Sequence, residues 1–281
     1  MKKPIKRVAA IHDICGFGKA ALTNIIPVLS TLGVEVCPIP TMVLSTHTGG
    51  FGDPKIVKLK GYVADTFEHY KEFNIDFEGI FVGYLGTIDN IKETYEFIKG
   101  ANKDTTLVCF DPIFGDYGNY YSNFNENYSE QLKKLLKYSD IITPNFTEAC
   151  ILADEKISEY VSEEQLLNIS RKLFDFGCKN IIITSVPVKD KNKIATSIYL
   201  GRNDSINIII SNKLKKSYPG TGDIFTSVLI GKYLNGISLL DSVKDSCEFV
   251  ERCIRESSKH DYDTKEGVLL ESSLKYLNDL K

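Results

Sequence analysis

Short apolar runs alternate along this chain with stretches whose apolar residues recur every three or four positions. The first pattern predicts strands and the second predicts amphipathic helices. Arg7 to Ile11 predicts a strand and Cys15-Gly16-Phe17-Gly18 a turn. Lys19 to Leu32 then predicts a helix burying Leu22, Ile25, Ile26 and Leu29, ended by Gly33. Val34 to Ile39 predicts a second strand. Thr41 to Asp53 is polar and glycine-rich and predicts a mobile loop. Helices are expected over 63–73 and 90–99, with strands at 79–82 and 106–110. Residues 115–128, rich in Gly, Asn, Tyr and Ser, predict a second exposed loop before a helix at 128–136. A strand at 140–142, helices at 147–152 and 163–176, a strand at 179–184 and a hairpin over 194–211 follow. Helices close the chain near 223–230, 238–256 and 271–280.

Apolar strands alternating with amphipathic helices indicate an α/β chain: a mostly parallel central sheet with helices on both faces, in three α/β/α layers. No internal repeat, linker or composition break divides it, so one domain over 1–281 is expected. In such sheets ligands bind at the carboxyl ends of the strands. Asp13, Thr48, Gly83-Tyr84, Asp111, Asn145, Thr184 and the glycine turn at 220–222 all fall just after predicted strands and can share one crevice.

Composition narrows the choices. The 281 residues carry a net charge of −3, which offers no electrostatic footprint for nucleic acid. The seven cysteines are dispersed with no C-x-x-C pair, which predicts free thiols of a reducing cytoplasm. The basic start is followed only by the short apolar run Val8 to Ile11, too little for a signal peptide, and no stretch approaches a membrane span.

The chemistry concentrates at Pro219-Gly220-Thr221-Gly222-Asp223, just before the apolar helical run Ile224 to Ile230. Two glycines allow a tight turn, and the helix start adds unsatisfied N–H groups and a positive dipole end. Together they predict an anion hole, with the Asp223 carboxylate at its mouth as a helix cap or a base. Asp111-Pro112 and Asn145-Phe146-Thr147-Glu148 supply oxygen ligands suited to Mg²⁺, which binds through few protein groups plus substrate phosphates. Anion hole, metal side and base describe phosphoryl transfer. Gly16 to Ala21 mimics a dinucleotide fingerprint, with Glu35 about twenty residues on; a glycine turn entering a helix is the better reading, because four residues separate the strand from the first glycine. No Walker loop occurs. His47, among glycines and threonines, reads as part of a flap that closes over substrate; 117–128 reads as a second lid. Lys213, Lys215 and Lys216 read as a solvated charge cluster.

Pro219-Gly220-Thr221-Gly222-Asp223 resembles the G-[AT]-G-D signature of the ribokinase superfamily, and Asn145-x-x-Glu148 its N-x-x-E motif. Ser45-Thr46-His47-Thr48-Gly49, Gly83 to Thr87, Asp111 to Asp116 and Ile142 to Glu148 resemble the pyridoxal kinase family in order and spacing. The resemblance implies a ribokinase-like fold with flap loops and ATP-dependent phosphorylation of the 5′-hydroxymethyl group of pyridoxal, pyridoxamine or pyridoxine, in vitamin B6 salvage. It implies Asp223 as base and Gly220, Thr221 and Gly222 as anion hole. Asp111, Thr143, Glu148 and Thr184 would lie on the ATP side, and Asp111, Asn145 and Glu148 on the metal side. Asp13, His47, Thr48 and Tyr84 would bind the vitamer. Mg²⁺, often with K⁺, a homodimer and a cytoplasmic location belong to the same expectation. The chain departs from the family in carrying Asp13 where serine is common, Thr184 where some members have lysine, and Ser-Thr-His-Thr where many have Ser-Asn-His-Thr. The nearest alternative is a hydroxymethylpyrimidine kinase; a non-catalytic B6- or nucleotide-binding protein lies further off.

Overall fold

The computed structural model describes residues 4–101 and 105–279. The chain begins with β1 (Arg7–Phe17), α1 (Leu22–Thr31), β2 (Glu35–Thr46), β3 (Ile56–Lys58), α2 (Tyr62–Glu72), β4 (Gly79–Val82), α3 (Ile88–Gly100) and β5 (Leu107–Phe110). A small hairpin follows, β6 (Gly115–Asp116) and β7 (Asn119–Tyr120), then α4 (Glu126–Leu136), β8 (Ile141–Ile142), α5 (Phe146–Leu152) and α6 (Glu163–Asp175). β9 (Asn180–Pro187), β10 (Lys193–Leu200), β11 (Ser205–Asn212), α7 (Thr221–Leu234), α8 (Leu239–Ser257) and α9 (Leu270–Ser273) complete it, with 3₁₀ turns at Thr264–Glu266 and Leu274–Asn278.

Among the described residues, nine strands form one sheet in the order β11-β10-β9-β8-β5-β4-β1-β2-β3. Strands from β9 through β2 run parallel, and β10, β11 and β3 are antiparallel additions at the edges. β1 is apolar on both faces because helices cover both. Ala9 and Ile11 face α2 to α6, meeting Val63, Phe97, Leu132 and Leu166 in one core. Val8 and Ala10 face α1, α7 and α8, with Leu22, Ile25, Leu229 and Val243. Helix starts follow local chemistry: Thr87, Asn125, Ser162 and Ser238 each accept a backbone N–H at an N-terminus. The three-layer, mostly parallel α/β architecture is the one the alternating pattern predicts.

Three predicted boundaries differ. β1 continues through Cys15 to Phe17 instead of turning there, because Ile14, Cys15 and Phe17 find partners in Val43, Leu44 and Thr46 of β2. Long-range pairing overrides the local turn preference of the glycines, and α1 starts at Leu22, not Lys19. The predicted loop 41–53 is half strand: Thr41 to Thr46 belong to β2, where buried and exposed positions largely alternate. Leu270–Ser273 makes one α-helical turn and then passes into 3₁₀ geometry, so the predicted last helix is short; its end, Leu280, lies outside the described residues. The seven cysteines are free thiols, as expected. Among the described residues no helix is long and apolar enough to cross a membrane.

From β1 the chain moves to β2 on one side and later returns to β4 on the other. That reversal is a switch point of the kind at which open α/β sheets bind ligands, beyond the carboxyl ends of their strands.

Candidate active site

Gly220 is the N-cap of α7, in the left-handed region at φ 76°. A Cβ there would lie 2.2 Å from the Lys19 carbonyl oxygen and 2.4 Å from Asn24 Nδ2, so only glycine fits. Asn24 Nδ2 donates to the Gly220 carbonyl at 3.1 Å and ties the turn to α1. Ile224 N–H donates to the same carbonyl at 3.2 Å and begins the helical ladder. The N–H groups of Thr221, Gly222 and Asp223 stand ahead of that ladder, at the positive end of the helix dipole.

Asp223 is 6% exposed. Its carboxylate does not cap its own helix. Oδ2 accepts the Ala21 N–H at 2.6 Å, and Oδ1 lies 3.2 Å from His12 Nε2. Ala21 holds φ 59°, ψ −142°, a strained conformation for a residue with a Cβ, and that conformation aims its N–H at Asp223.

His12, at the end of the buried part of β1, is 2% exposed. Its Nδ1 lies 2.7 Å from Asp13 Oδ1 and 3.0 Å from the Asp13 backbone nitrogen, and Asp13 Oδ2 accepts from Cys15 Sγ at 3.3 Å. Nε2 is close enough to Asp223 for an ion pair, but it lies off the hydrogen-bond line and has no aligned acceptor. Burial alone would push the imidazole down. The charge of Asp223 and the hydrogen bond to Asp13 overcome that and lift it to about 10. The ring sits against Gly83, where a Cβ would fall 1.9 Å from His12 Cδ2.

Asp111 follows β5 and faces the glycine turn, with Oδ2 3.8 Å from where a Gly222 Cβ would stand. Thr226 Oγ1, one turn along α7 from Asp223, is 3.4 Å from Asp111 Oδ2 and 3.0 Å from Thr143 Oγ1. Burial and then the charge of Asp223 push the Asp111 carboxyl up to about 7; His12 and the two threonine hydroxyls pull the other way. Asn145 and Glu148 form a capping box at the start of α5. Glu148 Oε2 accepts Asn145 N–H, and Oε1 accepts Phe114 N–H at 3.1 Å and Gly115 N–H at 3.3 Å. Burial and then Asp111 still hold its carboxyl well above the usual range. Glu148, Asp116, Asp111 and Asp223 all bear electrostatically on the Tyr121 hydroxyl. Among the described residues no three acidic, histidine or cysteine side chains are grouped to hold a metal ion; Asp111 keeps a carboxylate oxygen facing the turn. Asn145 is less suited to ligate than the sequence implies: its Oδ1 accepts Glu148 N–H and its Nδ2 donates to the Gly115 carbonyl. It shapes the start of α5.

The sequence model of the family described as phosphomethylpyrimidine kinase matches residues 26–268. The chain belongs to that family. A crystallised Bacteroides thetaiotaomicron protein assigned to phosphomethylpyrimidine kinase, in a form with pyridoxal, is 36% identical with a TM-score of 0.93, over 98% of this chain and 96% of its own. The hydroxymethylpyrimidine/phosphomethylpyrimidine kinase of Aquifex aeolicus is 26% identical, over 86% of this chain and 85% of its own. Pyridoxal kinase from Leishmania donovani, in complex with ADP and pyridoxamine, shares the ribokinase-like fold: TM-score 0.88 at 18% identity, covering 98% and 97% of the two chains.

Two loops carry the other residues read from the sequence as substrate-binding. In the first, His47 Nδ1 accepts Gly49 N–H at 3.0 Å, so Nε2 carries the proton and donates to the Lys265 carbonyl at 2.6 Å. Both ring nitrogens are taken by backbone, so His47 ties this loop to Lys265. Phe51 packs edge-on against His47 and Phe17, and Thr48 stands exposed at the rim. In the second loop, Asn123 Nδ2 donates to Tyr84 Oη at 2.7 Å, and Phe124 packs on the Tyr84 ring. Thr184 N–H donates to the Pro144 carbonyl at 2.9 Å, which places Thr184 beside Asn145. Lys216 turns to the His260 carbonyl. Gly16 lies inside β1 and Gly18 supports His47, so Gly16 to Ala21 is no dinucleotide turn. Sequence reasoning missed His12, Ala21 and Thr226. His12 gave a signal, since a histidine directly after an apolar strand stands at the ligand end of a parallel sheet. Thr226 is hidden in an apolar helical run, and Ala21 acts through its backbone alone.

Proposed function

We propose that this kinase transfers the γ-phosphoryl group of ATP to the 5′-hydroxymethyl oxygen of a vitamin B6 vitamer, giving the 5′-phosphate and ADP. The observation that carries the reading is the buried Asp223 carboxylate, fixed at the mouth of the glycine turn and facing Asp111 across it. Asp223 accepts the hydroxyl proton as the oxygen–phosphorus bond forms and the bond to the ADP oxygen breaks. The N–H groups of 220–222 and the start of α7 stabilise the charge on the moving phosphoryl group. Asp111, with Glu148 behind it, would hold Mg²⁺, which neutralises phosphate charge when bound. Thr143 and Thr184 border the nucleotide side; Thr48 and Tyr84 border the vitamer. Residues 1–281 act as one kinase domain. The pyridoxal held by the Bacteroides relative favours a B6 alcohol as acceptor.

The family and the Aquifex relative favour a second reading, phosphorylation of hydroxymethylpyrimidine. An ADP-release panel over pyridoxal, pyridoxamine, pyridoxine and hydroxymethylpyrimidine, with Mg²⁺ and with or without K⁺, separates the two. Turnover of a B6 vitamer supports the first reading, and exclusive turnover of the pyrimidine overturns it. The homodimer and cytoplasmic expectations rest on the same resemblance; light scattering and cell fractionation check them.

A further inference from the structure

His12 is a histidine clamped between two carboxylates in the floor of the site. Nδ1 is 2.7 Å from Asp13 Oδ1, Nε2 is 3.2 Å from Asp223 Oδ1, and the ring is 2% exposed. It cannot swing away. Phe81 packs edge-on at 6.0 Å between ring centroids, and Gly83 backs the ring so closely that a methyl group would overlap it. Asp13 is committed here as well, with one oxygen on His12 and the other on Cys15.

We propose that His12 is a positioning residue for Asp223: anchored by Asp13, it presents a fixed cation that holds the Asp223 carboxylate in place, and Asp13 serves this pair and not the ring of the substrate. The inference rests on Asp223 being the base of the kinase reading. Three charges in line, minus-plus-minus, keep one net negative charge in a buried pocket where two unshielded carboxylates would repel each other and Asp111. Ala21 N–H fixes the other Asp223 oxygen, so the carboxylate is held on both sides. Removing the cation leaves an ill-held anion; removing Asp13 leaves a histidine free to turn or lose its proton.

The test uses His12→Gln, Asp13→Asn and the double variant, assayed with whichever alcohol of the panel the wild type phosphorylates. We expect kcat to fall about 10–10²-fold in each single variant, with KM for ATP and the alcohol within about twofold. The double variant should be no worse than the weaker single, since the two side chains act as one unit. Histidine ¹⁵N NMR gives a readout independent of activity and of tolerance to mutation. The chain has four histidines, and the His12 signal should be doubly protonated at pH 8 in the wild type. A neutral His12, wild-type kcat in either single variant, or an Asp13→Asn effect confined to KM for the alcohol would overturn the inference. Should the wild type release no ADP with any alcohol, the kinase reading fails instead.

Discussion

Replacing Gly220 by alanine adds one methyl group at the point where α7, α1 and the end of the chain meet. The added Cβ would lie 2.2 Å from the Lys19 carbonyl oxygen, short of an ordinary 3.4 Å contact by about 1.2 Å. Lys19 cannot retreat easily: its N–H donates to the Glu266 carbonyl at 3.0 Å, its side chain pairs with Glu271, and Gly267 packs on its backbone. The start of α7 therefore moves. Holding alanine at φ 76° costs about 1–2 kcal/mol, and overpacking adds about 1–3 kcal/mol. Together they correspond to a fall in Tm of about 3–9 °C. A shift of about 1 Å in the anion hole lowers kcat about 10²-fold. Gly33→Ala is the control: it has the same φ of 76° with nothing within 4 Å of the added carbon, so it should lose a few degrees of Tm and no turnover. Differential scanning calorimetry and steady-state ADP release on both variants measure the two effects. A Gly220→Ala enzyme with wild-type kcat, or one that loses no more Tm than Gly33→Ala, would refute the reasoning.

Asp223→Asn keeps an acceptor for Ala21 N–H but loses the base, so kcat should fall about 10²–10⁴-fold with little change in KM; unchanged turnover removes Asp223 from the chemistry. His47→Ala unlatches the flap from Lys265, so single-turnover and steady-state assays should find KM for the alcohol raised several-fold and kcat nearly preserved. His12 is raised from 6.5 to about 10, so the folded protein keeps a proton that the unfolded chain gives up. Its contribution, on the order of a few kcal/mol, is complete below about pH 6.5 and fades as pH rises through 10. The stability gap between wild type and His12→Gln, read by urea denaturation, should narrow across that window; a gap constant with pH contradicts a raised imidazole.

The alternation of strands and helices was legible because each strand is a short apolar run and each helix carries its own period and cap, as at Thr87 and Ser162. What misled was long-range: Cys15 to Phe17 look like a turn until β2 supplies their partners. The strand-end rule pointed to Asp13, Asp111, Asn145 and the glycine turn, and in the structure Asp111 faces that turn while Asp13 meets His12 beside Asp223. It could not say which way side chains point. Asp13 faces His12, Asn145 and Glu148 satisfy each other and the 114–115 backbone, and His47 faces the far end of the chain. Those choices are made largely by hydrogen-bond partners 30 to 218 residues away in sequence, with the Asn145–Glu148 pair and, for Asp13, its neighbour His12 adding local ones.

The clamp on the glycine turn also dictates when the site can exist. Ala21 meets Asp223 across 202 residues, Asn24 meets Gly220 across 196, and His47 meets Lys265 across 218. These three ties join the first fifty residues to residues 220–265. During synthesis the early strands have no site to complete until α7 and the 264–267 turn are available, so a growing chain remains catalytically silent until they emerge. Loop closures this long are entered late and slowly, which makes the appearance of kinase activity a clock for the final step of folding.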